Sequence, residues 1–142
     1  MVLTAEDRKL IQASWGKLSS EMDDLGGEAL TRLFQAHPQT KTYFPHFDLS
    51  PGSNDIHRHG QKVFKALDGA VKHLDNIRGP LAELSDLHAY NLRVDPINFK
   101  LLGKCFHVTL ASSLRADYTC QTYLAFDKLF YEVADVLSEK YR

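Results

Sequence analysis

Residues 53–73 read SNDIHRHGQKVFKALDGAVKH, and this stretch decides the fold class. Its apolar positions recur at alternating spacings of four and three residues, which is the repeat of one face of an amphipathic α-helix. The positions that share this face are Ile56, Gly60, Val63, Leu67, Ala70 and Leu74. His59 precedes Val63 by four residues, so we expect its imidazole at the edge of the apolar face.

The same helical repeat runs through most of the chain. Thr4 and Asp7 have the spacing of a capping box, and Asp95-Pro96 places an acidic N-cap before a proline at the first helical position. Further helical segments are predicted to begin near Ser20 (with Asp23 at the capping position), Pro38, Pro80 and Thr119. No alternating strand pattern runs for more than a few residues. The sequence therefore predicts a single all-α domain over residues 1–142, with about seven helices.

Two local features predict close contacts. Gly26 and Gly27 lie inside the second predicted helix, where each glycine costs up to about 1 kcal/mol relative to alanine, so we expect another helix to approach there. The loop that follows the turn at Pro38 contains Phe44 and Phe47. Loops normally run over the surface, so aromatic side chains in this one indicate that it covers an apolar space.

The composition excludes several classes of function. The net charge is −1 with no block of one sign, which argues against a nucleic-acid surface or an anionic membrane as partner. No run of 18 apolar residues and no signal-peptide stretch occurs, so we expect a cytoplasmic protein. Cys105 and Cys120 fit neither a disulfide framework nor a redox pair and are expected to be free thiols.

Two histidines carry the candidate chemistry. His59 and His88 each lie on the apolar face of a predicted helix, with a loop between the two helices. A single such histidine is usually a core residue bonded to backbone, but two that face one apolar space can flank a flat ligand such as a haem. An imidazole that binds iron donates its other N–H to an acceptor. For His88 that acceptor is either the carbonyl of Leu84 or the hydroxyl of Ser85.

Other patterns point to no chemistry. No zinc spacing, nucleophile elbow or phosphate-binding loop is present, and His57 points away from His59. The remaining histidines are expected at the surface or in loops, and they are His37, His46, His73 and His107. The stripe of Phe126, Phe130 and Val133 is interpreted as core rather than as a cofactor wall.

Two segments carry a family resemblance. Residues 43–50, YFPHFDLS, and residues 87–99, LHAYNLRVDPINF, resemble vertebrate haemoglobin alpha-type chains. The similarity extends from Leu3 to Arg142, and LTAEDRKLIQ at residues 3–12 is most similar to the alpha-D chains of birds and reptiles. Gln39 and Cys120 depart from the pattern of common adult alpha chains, where a smaller hydroxyl residue and a proline are usual.

The resemblance implies a globin fold around haem b, with His88 as the proximal iron ligand and His59 as the distal residue that hydrogen-bonds bound dioxygen. Phe44 would pack flat on the porphyrin, Val63 would crowd the open iron position, and His46 and Lys62 would approach the propionates. The remaining residues implied to contact the cofactor are Tyr43, Leu84, Leu87, Leu92, Val94, Asn98, Phe99, Leu102 and Leu137.

The resemblance also implies a function and partners. The expected function is reversible dioxygen transport, not enzymatic catalysis, cooperative within an alpha2beta2 heterotetramer with beta-type chains in the red blood cell. Carbon dioxide and chloride would bind at Val2 once Met1 is removed. Implied subunit contacts include Arg32, Thr42, Pro45, Arg93, Asp95, Asn98, Phe106, Asp127, Tyr141 and Arg142.

Three alternatives remain: a haem enzyme, which needs a polar distal side that Val63 does not provide; an electron carrier with both histidines on iron; and a purely structural helical module.

Overall fold

The computed structural model describes residues 2–92 and 94–140, without the side chains of Ser19 and of residues 90–92. Within that part of the chain there are helices and no strands. The six α-helices are α1 (Ala5–Gly16), α2 (Met22–Ala36), α3 (Asn54–Lys72), α4 (Arg78–Asp86), α5 (Ile97–Leu114) and α6 (Cys120–Ser138). The 3₁₀ segments are Ser19–Glu21, Pro38–Tyr43 and Arg115–Asp117, and a π-helix spans Leu87–Leu92. The predicted all-α class is confirmed.

Helix starts follow from local side-chain chemistry. The Thr4 hydroxyl accepts from the Asp7 amide at 3.0 Å, and the Asp7 carboxylate accepts from the Thr4 amide at 2.9 Å, which confirms the capping box. Thr119 caps α6 in the same way, accepting from the Thr122 amide at 3.2 Å. These side chains satisfy amides that have no carbonyl partner in the first turn of a helix.

The predicted starts of α2 and α5 are displaced. α2 begins at Met22 after a 3₁₀ turn and has no side-chain cap, so the placement of Asp23 as the cap was wrong. Asp23 lies in the first turn, where its charge favours the positive end of the helix. α5 begins at Ile97, whose amide donates to the Asp95 carboxylate at 3.1 Å, so Asp95 does act on the helix start.

α2 and α3 cross with their backbones in contact. A Cβ atom added to Gly26 would lie 1.9 Å from the Gly60 carbonyl oxygen, and one added to Gly60 would lie 2.2 Å from the Gly27 nitrogen. Real Cβ atoms do not approach that closely, so the crossing requires glycine on both helices. The expected close approach at Gly26 and Gly27 is confirmed, and it fixes the helix that carries His59.

The main core lies where α1, α3, α5 and α6 meet. The Trp15 ring stacks on Phe64 with ring centroids 4.7 Å apart, and the Trp15 indole N–H donates to Asp68 at 3.0 Å. Phe126 and Leu129 on α6 are fully buried in the same cluster. Burying a side chain of this size contributes roughly 1.5–3 kcal/mol, so this cluster holds α3 and α6 in position.

Both cysteines are free, Cys105 in the core and Cys120 exposed at the first position of α6. None of the described helices has the length and apolar content that a membrane crossing requires.

One histidine lies in an unexpected environment. His107 was expected at the surface, but its side chain is buried, with 8% of the residue exposed. The Tyr118 hydroxyl donates to its Nδ1 at 2.5 Å, and its Nε2 donates to the Asp127 carboxylate at 3.0 Å. The ring also stacks on Tyr123, with centroids 4.1 Å apart. These partners satisfy both ring nitrogens, which is why a histidine is tolerated between α5 and α6.

The buried His107 predicts a pH-dependent stability. Burial lowers its pKa from the ordinary value of 6.5, and the nearby Asp127 opposes that shift. Since the unfolded chain then binds a proton more readily than the folded one, the stabilising difference is present above pH 6.5 and is lost as the pH falls through the folded pKa. We expect His107→Gln to flatten the fall in unfolding free energy between pH 7.5 and pH 5, measured by urea titration. The exposed His46→Gln serves as control, and an equal flattening in both variants would contradict the assignment.

Candidate cofactor site

A cavity of about 370 Å³ opens between α3, α4, α5 and α6. Its wall is mostly apolar, and the imidazoles of His59 and His88 enter it from two different helical segments. The other lining residues are Phe47, Lys62, Val63, Ala66, Leu67, Leu81, Leu84, Leu87, Phe99, Leu102, Gly103, Phe106, Phe130, Val133, Ala134 and Leu137. An apolar cavity with a few convergent polar groups is the usual form of a cofactor site.

His88 has a local hydrogen-bond partner. Its Nδ1 lies 2.7 Å from the Leu84 carbonyl oxygen, which can only accept, so Nδ1 carries the proton. In the neutral ring this arrangement leaves the lone pair on Nε2. The Ser85 hydroxyl instead donates to the Val136 carbonyl at 2.7 Å, so of the two acceptors considered from the sequence, Leu84 is the one that His88 uses. The π-helix that begins at Leu87 carries the ring, and Phe99 packs edge-on against it at 5.2 Å.

His59 has a different environment. Its half-buried ring meets the rings of Phe44 and Phe47 edge-on, with centroids 5.1 Å and 5.7 Å away. Burial lowers the pKa of His59, and the positive charge of the nearby Lys62 lowers it further. Within the described residues no carboxylate or carbonyl pairs with this ring. These effects favour the neutral form of His59, which has one N–H to donate.

These side chains fit a haem better than a bare metal ion. A neutral imidazole with a fixed Nδ1–H is a suitable axial ligand for haem iron. In the part of the chain that the structure describes, no three His, Cys, Asp or Glu side chains come together in a group that could hold a metal ion. The macrocycle of a haem would supply the four other nitrogens that the protein does not.

Most of the residues implied by the resemblance lie on the cavity wall, but some do not. Those that line it are His59, Lys62, Val63, Leu84, Leu87, His88, Phe99, Leu102 and Leu137. Phe44 lies at its edge, against His59. His46 is exposed and is not one of the residues that line the cavity. The side chain of Leu92 and the residues Arg93, Tyr141 and Arg142 lie outside the described part of the chain.

Tyr43, Val94 and Asn98 hold the segment after His88. The Tyr43 hydroxyl accepts from the Asn98 side-chain amide at 3.1 Å and from the Asp95 amide at 3.2 Å. The buried Val94 donates its amide to the His88 carbonyl at 3.1 Å. These contacts connect the 3₁₀ turn at Pro38–Tyr43 to the π-helix and so help to position the segment that carries His88.

The interpretation of Phe126, Phe130 and Val133 as core is confirmed by their packing, and two of the three residues also line the cavity. Phe126 is fully buried in the core, but Phe130 and Val133 line the cavity, together with Ala134. Positions 130, 133, 134 and 137 share one face of α6, so the implied contact of Leu137 with the cofactor could have located this wall from helical spacing.

The fold and the site together have the form of a helical cofactor-binding protein, with an apolar cavity that two histidines enter. The globin family model matches residues 27–137, and the chain belongs to the globin family. It is 64% identical over 141 residues to hemoglobin subunit alpha-D of Drymarchon melanurus erebennus, covering 99% of this chain and 100% of that one. With the same coverage it is 61% identical to hemoglobin subunit alpha-D of Aythya fuligula and 59% identical to that of Meleagris gallopavo. These similarities confirm the resemblance predicted from the sequence.

Proposed function

We propose that this protein transports dioxygen on a haem, as an alpha-type subunit of a haemoglobin and not as an enzyme. The observation that carries the proposal is the inequality of the two histidines. His88 has a backbone acceptor at 2.7 Å that fixes its ring, whereas His59 has aromatic edges around it. The full-length similarity to chains named hemoglobin subunit alpha-D supports the same conclusion.

The proposed cofactor, haem b, would supply a ferrous iron that binds dioxygen reversibly. His88 would hold that iron through Nε2. The Leu84 carbonyl orients the His88 ring and strengthens Nε2 as a donor, because a hydrogen bond from Nδ1–H increases electron density on the imidazole. Phe99 packs against the side of the ring and limits its rotation.

In this proposal His59 donates a hydrogen bond to dioxygen and does not bind the iron. A neutral imidazole donates one N–H, and a hydrogen bond to a partially charged oxygen contributes roughly 1.5–3 kcal/mol. That range corresponds to about tenfold or more in affinity. Phe44 and Phe47 cover the outer edge of His59, and the apolar wall disfavours the water that promotes oxidation. Val63 limits the space beside His59.

The remaining roles extend this proposal. We propose that Lys62 and His46 reach the carboxylates of the cofactor, and that Tyr43, Leu92, Val94 and Asn98 complete its surroundings. We further propose a cooperative alpha2beta2 heterotetramer with beta-type chains in the red blood cell, and carbon dioxide or chloride at the amino terminus. The identity to named alpha-D subunits over their full length supports these assignments.

One absorption experiment tests the central proposal. The reduced, haem-loaded protein is recorded without oxygen and then with it. A five-coordinate spectrum that converts reversibly to an oxygenated one is expected. A six-coordinate spectrum without added ligand would favour the electron carrier, and the absence of a Soret band would favour a structural module.

His59→Leu is expected to release dioxygen about tenfold faster, since a charge-assisted hydrogen bond is lost. We also expect faster oxidation of the iron in air. Stopped-flow measurement of oxygen dissociation checks the first effect. His57→Leu is the matched control, because the His57 ring lies on the same helix within 3.4 Å of the Gln61 side chain and does not line the cavity. An unchanged dissociation rate in His59→Leu contradicts its role.

A further inference from the structure

A second hollow lies between α3 and α4, and we call it the α3/α4 groove. It has a volume of about 830 Å³. Lys62, Ala66, Leu84 and Leu87 line both this groove and the inner cavity, so the two spaces adjoin at these side chains. We refer to the α3/α4 groove as the mouth of the cofactor cavity.

The rim of this mouth has an uneven charge. Lys62 and Lys65 lie one turn apart on α3, and Glu83 and Asp86 face them from α4. The Asp86 carboxylate is already paired with the Lys140 ammonium at 2.5 Å. Among the described residues, neither Lys62 nor Lys65 forms a salt bridge. The α3 side of the mouth thus has two exposed ammonium groups without a salt-bridge partner, and Glu83 is the remaining carboxylate that lines the groove with them.

A ligand that suits this arrangement has an apolar body and an anionic end. The inner cavity accepts the apolar body, since burial of apolar surface is favourable there. Carboxylates are costly to bury without a partner, so they would remain at the mouth beside the lysines. A porphyrin with two carboxylates on one edge has this chemistry.

We propose that Lys65, next to Lys62, captures the carboxylates of the incoming porphyrin at the α3/α4 groove and favours dicarboxylate porphyrins over uncharged ones. The inference rests on the proposed function and adds a specificity-determining residue to that site. An ammonium group on a flexible stem attracts an anion before contact, so its main effect falls on the rate of association.

The test uses the full-length chain freed of cofactor and iron-free protoporphyrin IX, whose binding does not require the His88–iron bond. Lys65→Glu is compared with Lys9→Glu, which makes the same change in net charge on exposed α1. At low ionic strength we expect Lys65→Glu to associate at least about threefold more slowly than Lys9→Glu. The difference should disappear near 1 M salt, where the screening length is about 3 Å. Lys65→Arg should retain the wild-type rate.

The dimethyl ester of protoporphyrin IX separates charge from shape. Because the ester has no carboxylates, Lys65→Glu and Lys9→Glu should bind it at the same rate. Equal rates of the two variants with the free dicarboxylate would overturn the inference, as would an equal slowing with the ester. Circular dichroism of each variant confirms that the helices are intact. A wild-type chain that binds no porphyrin would overturn the proposed function itself, and the inference with it.

Discussion

Gly60→Ala is expected to destabilise the folded chain by about 3 kcal/mol or more, the upper end of what an added methyl group costs in a packed interior. The new Cβ would lie 2.2 Å from the Gly27 nitrogen and 2.6 Å from the Gly26 carbonyl carbon. Both are backbone atoms, so no side-chain rotation relieves the clash. α2 and α3 must separate, and the packing between them is lost.

Gly69→Ala is the matched control, because Gly69 lies on the same helix but its added Cβ would meet only the Pro80 side chain at 3.6 Å. That is ordinary contact, and alanine is the better helix former by about 1 kcal/mol. We expect Gly69→Ala to stabilise the chain slightly and Gly60→Ala to destabilise it. Urea unfolding followed by circular dichroism measures both, and similar free energies for the two variants would contradict the proposed crossing geometry.

The glycines show how much of a tertiary helix contact can be predicted from a local sequence pattern. The cost of Gly26 and Gly27 inside a helix indicated that another helix approaches, and the structure confirms it. The partner could not be identified, because Gly60 occupies an apolar-face position that alanine would fill equally well in an isolated helix. Only the tertiary crossing shows that Gly60 has no room for a methyl group.

The two histidines show that a local pattern does not identify hydrogen-bond partners. Helical spacing placed His59 on an apolar face, and the family resemblance implied the role of His88. Neither argument could decide whether Leu84 or Ser85 accepts the hydrogen bond from the His88 ring. The Ser85 hydroxyl instead donates to the Val136 carbonyl on α6, far along the chain. The prediction that His107 lies at the surface was wrong for the same reason. Tyr118 and Asp127 satisfy its ring nitrogens and make its burial possible, and both belong to later segments of the chain. Partners brought by distant segments are not visible in a local pattern.

His88→Gly is expected to increase the rate of haem loss from the loaded protein by about a hundredfold or more. Hydrogen-bond partners of a ligating histidine are alone worth about 10–100-fold in metal affinity, so the loss of the ligand itself should cost at least as much. The cavity wall remains, because His88 contributes one of many lining side chains. Transfer of haem to an excess of an acceptor protein measures the rate.

Rescue by free imidazole distinguishes a lost ligand from a damaged fold. Without its ring, residue 88 leaves a space next to the Leu84 carbonyl, where an added imidazole can donate one N–H and present its other nitrogen to the iron. We therefore expect imidazole to slow haem loss from His88→Gly and to restore a histidine-ligated spectrum. His59→Gly should retain haem, and added imidazole should not slow haem loss further. The reason is that the wild-type His59 ring contacts Phe44 and Phe47 and, in the proposed function, hydrogen-bonds dioxygen rather than binding the iron. If both variants lose haem equally fast and both are rescued, the two histidines are equivalent iron ligands, and the electron-carrier alternative replaces oxygen transport.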